Sequence, residues 1–217
     1  MRQPRTYPIE PRVGQDFRFT RRWFLTRNYG TFVKFVVPKW AGIPTIYLEL
    51  GVFEGMSMVW MLQHVLTHPD SRSVGIDPWL ITTKMDQAQM SDVMSNAFHN
   101  TAPWSGGKED KCSLIQANSA EVLRRMVRKR GYAGIRRGSV DVCMVDGNHN
   151  SLAVWDDCRL VYKLLKVGGW MLLDDVENDI EKADHVKQGL QLFLNEVGGG
   201  VKEVWRHKYM VCLCKEK

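Results

Sequence analysis
No apolar run in the 217 residues approaches the ~18 positions that a membrane helix requires, so a bilayer-spanning chain is not expected. The opening stretch MRQPRTYPIEPR is basic but has no apolar core, which argues against a secretory signal. Cysteine is sparse and odd in number. The five are Cys112, Cys143, Cys158, Cys212 and Cys214, and their scatter argues against a disulfide framework and for a reducing, cytoplasmic setting. Cys212 and Cys214 alternate along an apolar strand pattern, so they face opposite sides of a sheet and cannot offer a joint metal pair. There is no GxGxxG and no P-loop Lys-Ser/Thr, so the usual pyrophosphate signals are missing. Neither internal repeats nor a low-complexity linker interrupts the chain.

What is present is an ordinary globular composition, 44% hydrophobic and 25% charged, long enough to bury a core without staples. The expected division is an arm and helix over 1–40, serving as a cap or substrate-side extension, and one domain over 41–217. Within the first part the helix is expected near Arg21–Val37. The net charge is +6, which permits an anionic partner without requiring one. Arg124, Arg125, Arg128, Lys129, Arg130, Arg136 and Arg137 crowd together. They suit either a solvated helix face or a phosphate-binding patch.

From residue 44 onward, short apolar runs alternate with helical patterns. TIYLELG, SVGID, CSLIQA, SVDVCMVD and WMLLDD read as buried strands. The first helix, SMVWMLQHVLTH, has Ser57 as its expected N-cap. KMDQAQMSDVMSNAFHN is a Met-rich helix pattern. Asn118 and Glu121 are spaced as a capping box before AEVLRRMVRK. SLAVWDDCRLVYKLL is expected to be closed by Gly168–Gly169, and a last helix covers about 178–196. VKEVWRH and YMVCLCK read as a final antiparallel pair. The fold class is therefore α/β, a doubly wound, mostly parallel sheet with a C-terminal antiparallel hairpin.

In such sheets ligands sit at the carboxyl ends of the strands. Strand one ends in Glu49-Leu-Gly51-Val-Phe53-Glu-Gly55-Met-Ser57. Its glycines permit close backbone approach, and the helix beyond favours an anion such as an amino-acid carboxylate. Glu49 suits an ammonium or sulfonium. Strand two ends at Asp77, placed to accept ribose hydroxyls or simply to cap a turn before Pro78. Strand four ends at Asp146, followed by Gly147, Asn148 and His149, and strand five at Asp174-Asp175. Crowded carboxylates repel and raise each other's pKa, a cost that a hard divalent cation such as Mg²⁺, Mn²⁺ or Ca²⁺ removes. His149 could take a substrate proton near neutral pH, or be a loop histidine.

LELGVFEGMS, MVDGNH and LLKVGGWMLLDDV together resemble class I S-adenosylmethionine-dependent methyltransferases. More narrowly they resemble the macrocin-type and catechol-type O-methyltransferases and cephalosporin-hydroxylase-like proteins, over roughly 44–215. WFLTRN, Trp23 to Asn28, is similar to a lead-in of some bacterial members. The resemblance implies a Rossmann-like domain over 41–217 that takes S-adenosylmethionine and Mg²⁺ or another hard divalent cation. It implies that Glu49, Gly51, Phe53 and Gly55 shape the methionine end of the pocket and that Ser57 holds the methionine carboxylate. Asp77 would bind ribose, Pro78 and Trp79 would flank the adenine, and Asn118 and Ser119 would touch its edge. Asp146, beside the cofactor, with Asp174 and Asp175 would hold the metal. His149 stands where the catechol enzymes have a lysine base. The implied reaction is methyl transfer to a hydroxyl of a small molecule, a phenol or sugar diol.

Three other functions fit the residues less well. An RNA ribose methyltransferase would use the basic cluster, but convincing lysines at the strand ends are missing. A cofactor-binding module would bind without turnover. A dehydrogenase would want the GxGxxG. Trp23, Phe24, Trp79 and Trp104 suit an acceptor pocket, the core or a contact between copies of the chain, so a homo-oligomer stays open.

Overall fold
The computed structural model describes residues 6–10, 16–81, 85–106, 110–176 and 183–217. The proposed helix start at 178–182 lies outside the described residues. Seven strands form one sheet: β1 (Ile46–Leu50), β2 (Arg72–Asp77), β3 (Cys112–Gln116), β4 (Val140–Val145), β5 (Leu165–Leu173), β6 (Val201–His207) and β7 (Met210–Lys215). Their order is β3-β2-β1-β4-β5-β7-β6. The first five are parallel, and β7 enters antiparallel between β5 and β6. The doubly wound sheet and the closing hairpin both stand as read from the sequence. The order reverses between β1 and β4, which creates the crevice where such sheets bind ligands.

Strand periodicity sorts the core onto two faces. Leu48 and Leu50 of β1 join one cluster with α4 (Ser119–Met126), α5 (Ser151–Leu164) and α6 (Ala183–Val197). Tyr47 belongs to the other, with α1 (Phe24 to Trp40) and α2 (Met56–His64). Trp60 of α2 is central there, in ring contact with Phe24, Tyr29 and Phe32 of α1. The polar helix α3 (Gln87–Thr101) packs Met90, Val93 and Ala97 against Val52 and Trp79.

Several boundaries differ from expectation, each for a local reason. The N-terminal helix lies at 24–40 rather than 21–37 and alternates π-helical and α-helical stretches. Pro38, which lacks an N–H, sits just past the second π-stretch. Gly55, left-handed at φ +76°, is the N-cap of α2, so Ser57 lies inside the helix and is not its cap. Asn118 does cap α4, accepting from the Ala120 N–H at 3.0 Å, but Glu121 does not complete a box. The reciprocal box belongs instead to Asp86 and Gln89 at the start of α3. Helix α5 ends at Leu164 and runs straight into β5, so Gly168–Gly169 lie within that strand rather than closing the helix. No helix among the described residues is long and apolar enough to cross a membrane.

Candidate active site
The turn after β1 is braced from every side. The Gly51 N–H bonds the Ile76 carbonyl of β2 at 2.9 Å. A Cβ on Gly51 would stand 1.9 Å from the Asp146 carbonyl oxygen, so glycine is what allows β1 and β4 to end side by side. Asp77 closes the turn from β2. Its Oδ2 accepts from the Val52 and Phe53 N–H groups at 2.8 and 3.0 Å, and its Oδ1 from the Trp79 N–H at 2.7 Å. Burial raises its pKa while those three donors oppose the rise. A carboxylate offers about four lone-pair sites, so room for a further hydroxyl remains. Trp79 is buried, and its indole N–H donates to the Phe53 carbonyl at 2.9 Å. The indole thus supports the turn from within.

Beneath the turn lies a buried hydroxyl–carboxylate network. Glu49 accepts from the Tyr47 hydroxyl at 2.9 Å on one oxygen and from the Ser57 hydroxyl on the other. Burial pushes its carboxyl up to about 7, against the two hydrogen bonds. Glu49 and Ser57 therefore meet at one point, though the Ser57 hydroxyl is turned toward Glu49.

The carboxylates gather one strand further along. Ligand atoms of Asp146, His149 and Asp175 lie within 4.8 Å of one another. The His149 Nε2 is 3.4 Å from Asp175 Oδ2. Asp174 is held differently: its Oδ2 accepts from the Asn28 amide at 2.7 Å, while its buried Oδ1 has no hydrogen-bond partner among the described residues. Burial raises the Asp146 pKa well above the ordinary carboxylate range, and the charges of Asp174, Asp175 and Glu49 raise it further. The Asp174 carboxyl is pushed up to about 6, first by burial and then by Asp175. Asp175 sits at φ +57°, a left-handed conformation that costs a non-glycine residue about 1–2 kcal/mol.

This geometry fits a divalent cation. Closely set donors, mutually repelling carboxyls and a buried oxygen without a partner are what such an ion relieves. The three grouped donors include an imidazole, so they are not the all-oxygen set that the sequence suggested.

Comparison with known proteins bears on what this crevice belongs to. A family of methyltransferase domains matches residues 48–176, more than half of the chain. The chain belongs to this methyltransferase family. A curated relative, an uncharacterized protein of Acanthamoeba polyphaga mimivirus, is 21% identical over 169 residues; the match covers 76% of this chain and 66% of that protein's length. The fold resembles a candidate rRNA methylase from Clostridium thermocellum, at TM-score 0.61 and 13% identity, covering 92% of this chain and 99% of that one. It also resembles a candidate O-methyltransferase from Klebsiella pneumoniae (TM-score 0.53, 14% identity, 80% and 74% covered). A Corynebacterium glutamicum protein is similar at TM-score 0.58 and 10% identity, covering 83% and 77%. Membership implies S-adenosylmethionine as the methyl donor.

Two residues beside the carboxylates come from a segment to which the sequence reading gave no role. Arg27 donates to Asp175 Oδ1 at 2.9 Å and stacks on Tyr209, 4.6 Å from the ring centre. Asn28 is the partner of Asp174. Both lie in WFLTRN, a motif that was visible, but its partners are 148 and 146 residues away. Of the aromatics, Phe24 and Trp104 are core residues, while Trp23 is exposed and lies on Phe53 with ring centres 4.8 Å apart. Ser119 donates to both oxygens of Asp157, a buried carboxyl on α5 raised to about 6 by burial.

Those raised carboxyls should make the ligand-free fold pH-dependent. A folded-state pKa above its unfolded value gives stability that is full below the unfolded pKa and lost as pH rises through the folded one. For Glu49 the window is about 4.5 to 7. The melting temperature should therefore fall as pH rises from 5.5 to 8. Glu49→Gln should flatten that slope, since the part of the window inside this range, pH 5.5 to about 7, is worth about 2 kcal/mol at about 1.4 kcal/mol per pH unit. Parallel slopes for the two proteins would remove Glu49 as the cause.

Proposed function
We propose that the methyltransferase moves the methyl group of S-adenosylmethionine to a hydroxyl of a small molecule, a phenol or a diol, with help from a divalent cation. The observation that carries this reading is the contact between two half-sites. The glycine turn of β1 lies directly on the Asp146 backbone, so a donor held by the turn and an acceptor held by the carboxylates would share one crevice. The helix N-terminus at Gly55–Met56 suits the methionine carboxylate, Glu49 the cationic end and Asp77 the ribose.

Asp146 and Asp175 would hold the cation, with the Oδ1 of Asp174 completing the set and the imidazole of His149 left for the proton. When bound, the ion would lower the acceptor's pKa and fix its orientation. His149 faces the carboxylates and would take the hydroxyl proton. S-adenosylmethionine, when bound, would supply the methyl group, the C–S electron pair staying on sulfur as the new O–C bond forms. Arg27 keeps Asp175 oriented, and Asn28 does so for Asp174.

An RNA substrate is less well supported. Arg128, Lys129 and Arg130 follow the far end of α4, and Arg136 and Arg137 precede the start of β4. That is the opposite end of the sheet from the carboxylates, so the cluster does not lead an acceptor into the crevice. A module that binds without turnover would leave the aligned His149 unused.

The test is calorimetric titration of catechol into protein saturated with S-adenosylhomocysteine, in Mg²⁺ and in EDTA. Catechol binding that needs Mg²⁺ is expected. Equal binding in both buffers would overturn the role of the cation.

A further inference from the structure
The chain ahead of α1 is bonded to the proposed cofactor turn through the side chain of Glu54, with Asn100 beside it. Glu54 lies between Phe53 and Gly55 and is buried. Its Oε2 accepts from the Thr20 and Arg21 N–H groups at 2.7 and 3.3 Å. Its Oε1 accepts from the Thr20 hydroxyl at 3.0 Å and from the Asn96 amide of α3 at 2.9 Å. Beside it, Asn100 of α3 exchanges hydrogen bonds with the Arg18 backbone at 2.7 and 3.0 Å and donates to the Glu54 carbonyl at 2.9 Å. Further back, the Trp60 indole donates to the Tyr7 carbonyl and His64 contacts the Pro8 carbonyl. Two residues beyond Arg21, Trp23 lies on Phe53, the residue preceding Glu54.

A buried carboxylate is costly unless its lone pairs are filled; among the described residues no cation pairs with Glu54, and four donors fill its lone pairs. Three of the four come from the arm. The turn's only large exposed neighbour, among the described ring contacts of Phe53, is Trp23.

We infer that Glu54 is a positioning residue for cofactor binding: it fixes the arm to the Gly51–Gly55 turn so that Trp23 and Phe53 form one wall of the cofactor pocket. The inference rests on the proposed cofactor site. It makes residues 16–23 part of the binding machinery rather than a detachable cap. Arm docking and cofactor binding are then linked, because each orders the same turn. Loss of the anchor should weaken cofactor binding and leave the chemical step intact, since Glu54 touches neither the carboxylates nor His149.

The experiment compares wild type, Glu54→Ala, Glu54→Gln and Trp23→Ala by S-adenosylhomocysteine titration, with limited proteolysis of the arm with and without that ligand. Glu54→Ala should weaken binding at least about tenfold, the size expected for losing hydrogen bonds to a charged group. It should also speed cleavage before residue 23, with the ligand slowing it again. Glu54→Gln keeps an acceptor for the backbone amides, and its amide can face hydroxyl and flipped-amide oxygens, so it should stay within a few-fold of wild type. Trp23→Ala should weaken binding without freeing the arm. Should Glu54→Ala fail to fold, the other two variants decide. If wild type binds the ligand and both Trp23→Ala and a folded Glu54→Ala bind equally well, the inference falls alone. If wild type does not bind, the proposed function falls and takes the inference with it.

Discussion

Asp146→Ala is expected to abolish methyl transfer while leaving affinity for S-adenosylhomocysteine within a few-fold of wild type. The cation would contribute several kcal/mol to the transition state, so the loss should reach about a thousandfold or more. The binding half should survive because the turn packs on the main chain of residue 146, which alanine retains. The fold should survive as well. The Asp146 carboxyl lies near Asp174, Asp175 and Glu49, and each like charge raises its pKa, so removing it relieves repulsion. The ligand-free variant should therefore melt no lower than wild type. A transfer assay with labelled donor, the same titration and a thermal melt check the three statements together. Normal turnover would remove Asp146 from the site; a collapsed melting temperature would mean that the carboxylate is structural.

Gly51→Ala is expected to do the opposite, ending cofactor binding through the backbone. Two penalties coincide at this position. The residue sits at φ +85°, and its added Cβ would lie 1.9 Å from the Asp146 carbonyl oxygen and 2.6 Å from the carbonyl carbon. Neither atom belongs to a flexible side chain. Either β4 must move away from β1, which would disturb Asp146, or the turn must rebuild. Gly168→Ala separates the two penalties. Gly168 has φ +82° and nothing within 4 Å of an added Cβ, so it should show the conformational strain alone, about 1–2 kcal/mol. Gly51→Ala should cost clearly more than that in a denaturant melt, and no S-adenosylhomocysteine binding should remain. Equal costs for the two glycines would show that the close approach of β1 and β4 is not what position 51 protects.

The architecture was legible because its strands are short, apolar on both faces and separated by helical spacing. The antiparallel end was legible because two strand patterns follow the GGG break without a helix between them. Helix starts were less so. Gly55 caps α2 through a left-handed turn, a property of backbone shape that a search for hydroxyl caps does not detect. The Asp86–Gln89 box lay inside a segment already read as helical. The limits of α1 also differed, the helix running over 24–40 in alternating π-helical and α-helical stretches.

The site was half legible. Asp77, Asp146, Asp174 and Asp175 each stand at a strand end, where the topology makes a polar residue informative. Which of them converge depends on side-chain direction, and that depends on partners far along the chain. Asn28 draws one oxygen of Asp174 aside, Arg27 pairs with Asp175, and His149 turns inward to join Asp146. Ser57 and Glu49, both assigned from the sequence to the methionine end, are hydrogen-bonded to each other. Glu54 was visible only as part of the LELGVFEGMS motif; its anchoring role was not, because an acidic residue between two glycines looks like an ordinary exposed turn. Its burial follows only from the arm that covers it.

The most direct test of the account is calorimetric titration of S-adenosylhomocysteine into the purified protein, in Mg²⁺ and in EDTA. Binding at micromolar concentrations or tighter in both buffers is the predicted result, since the donor half of the crevice uses the turn, Glu49 and Asp77 rather than the cation. No binding in either buffer would contradict the methyl-transfer reading and leave the crevice without a ligand.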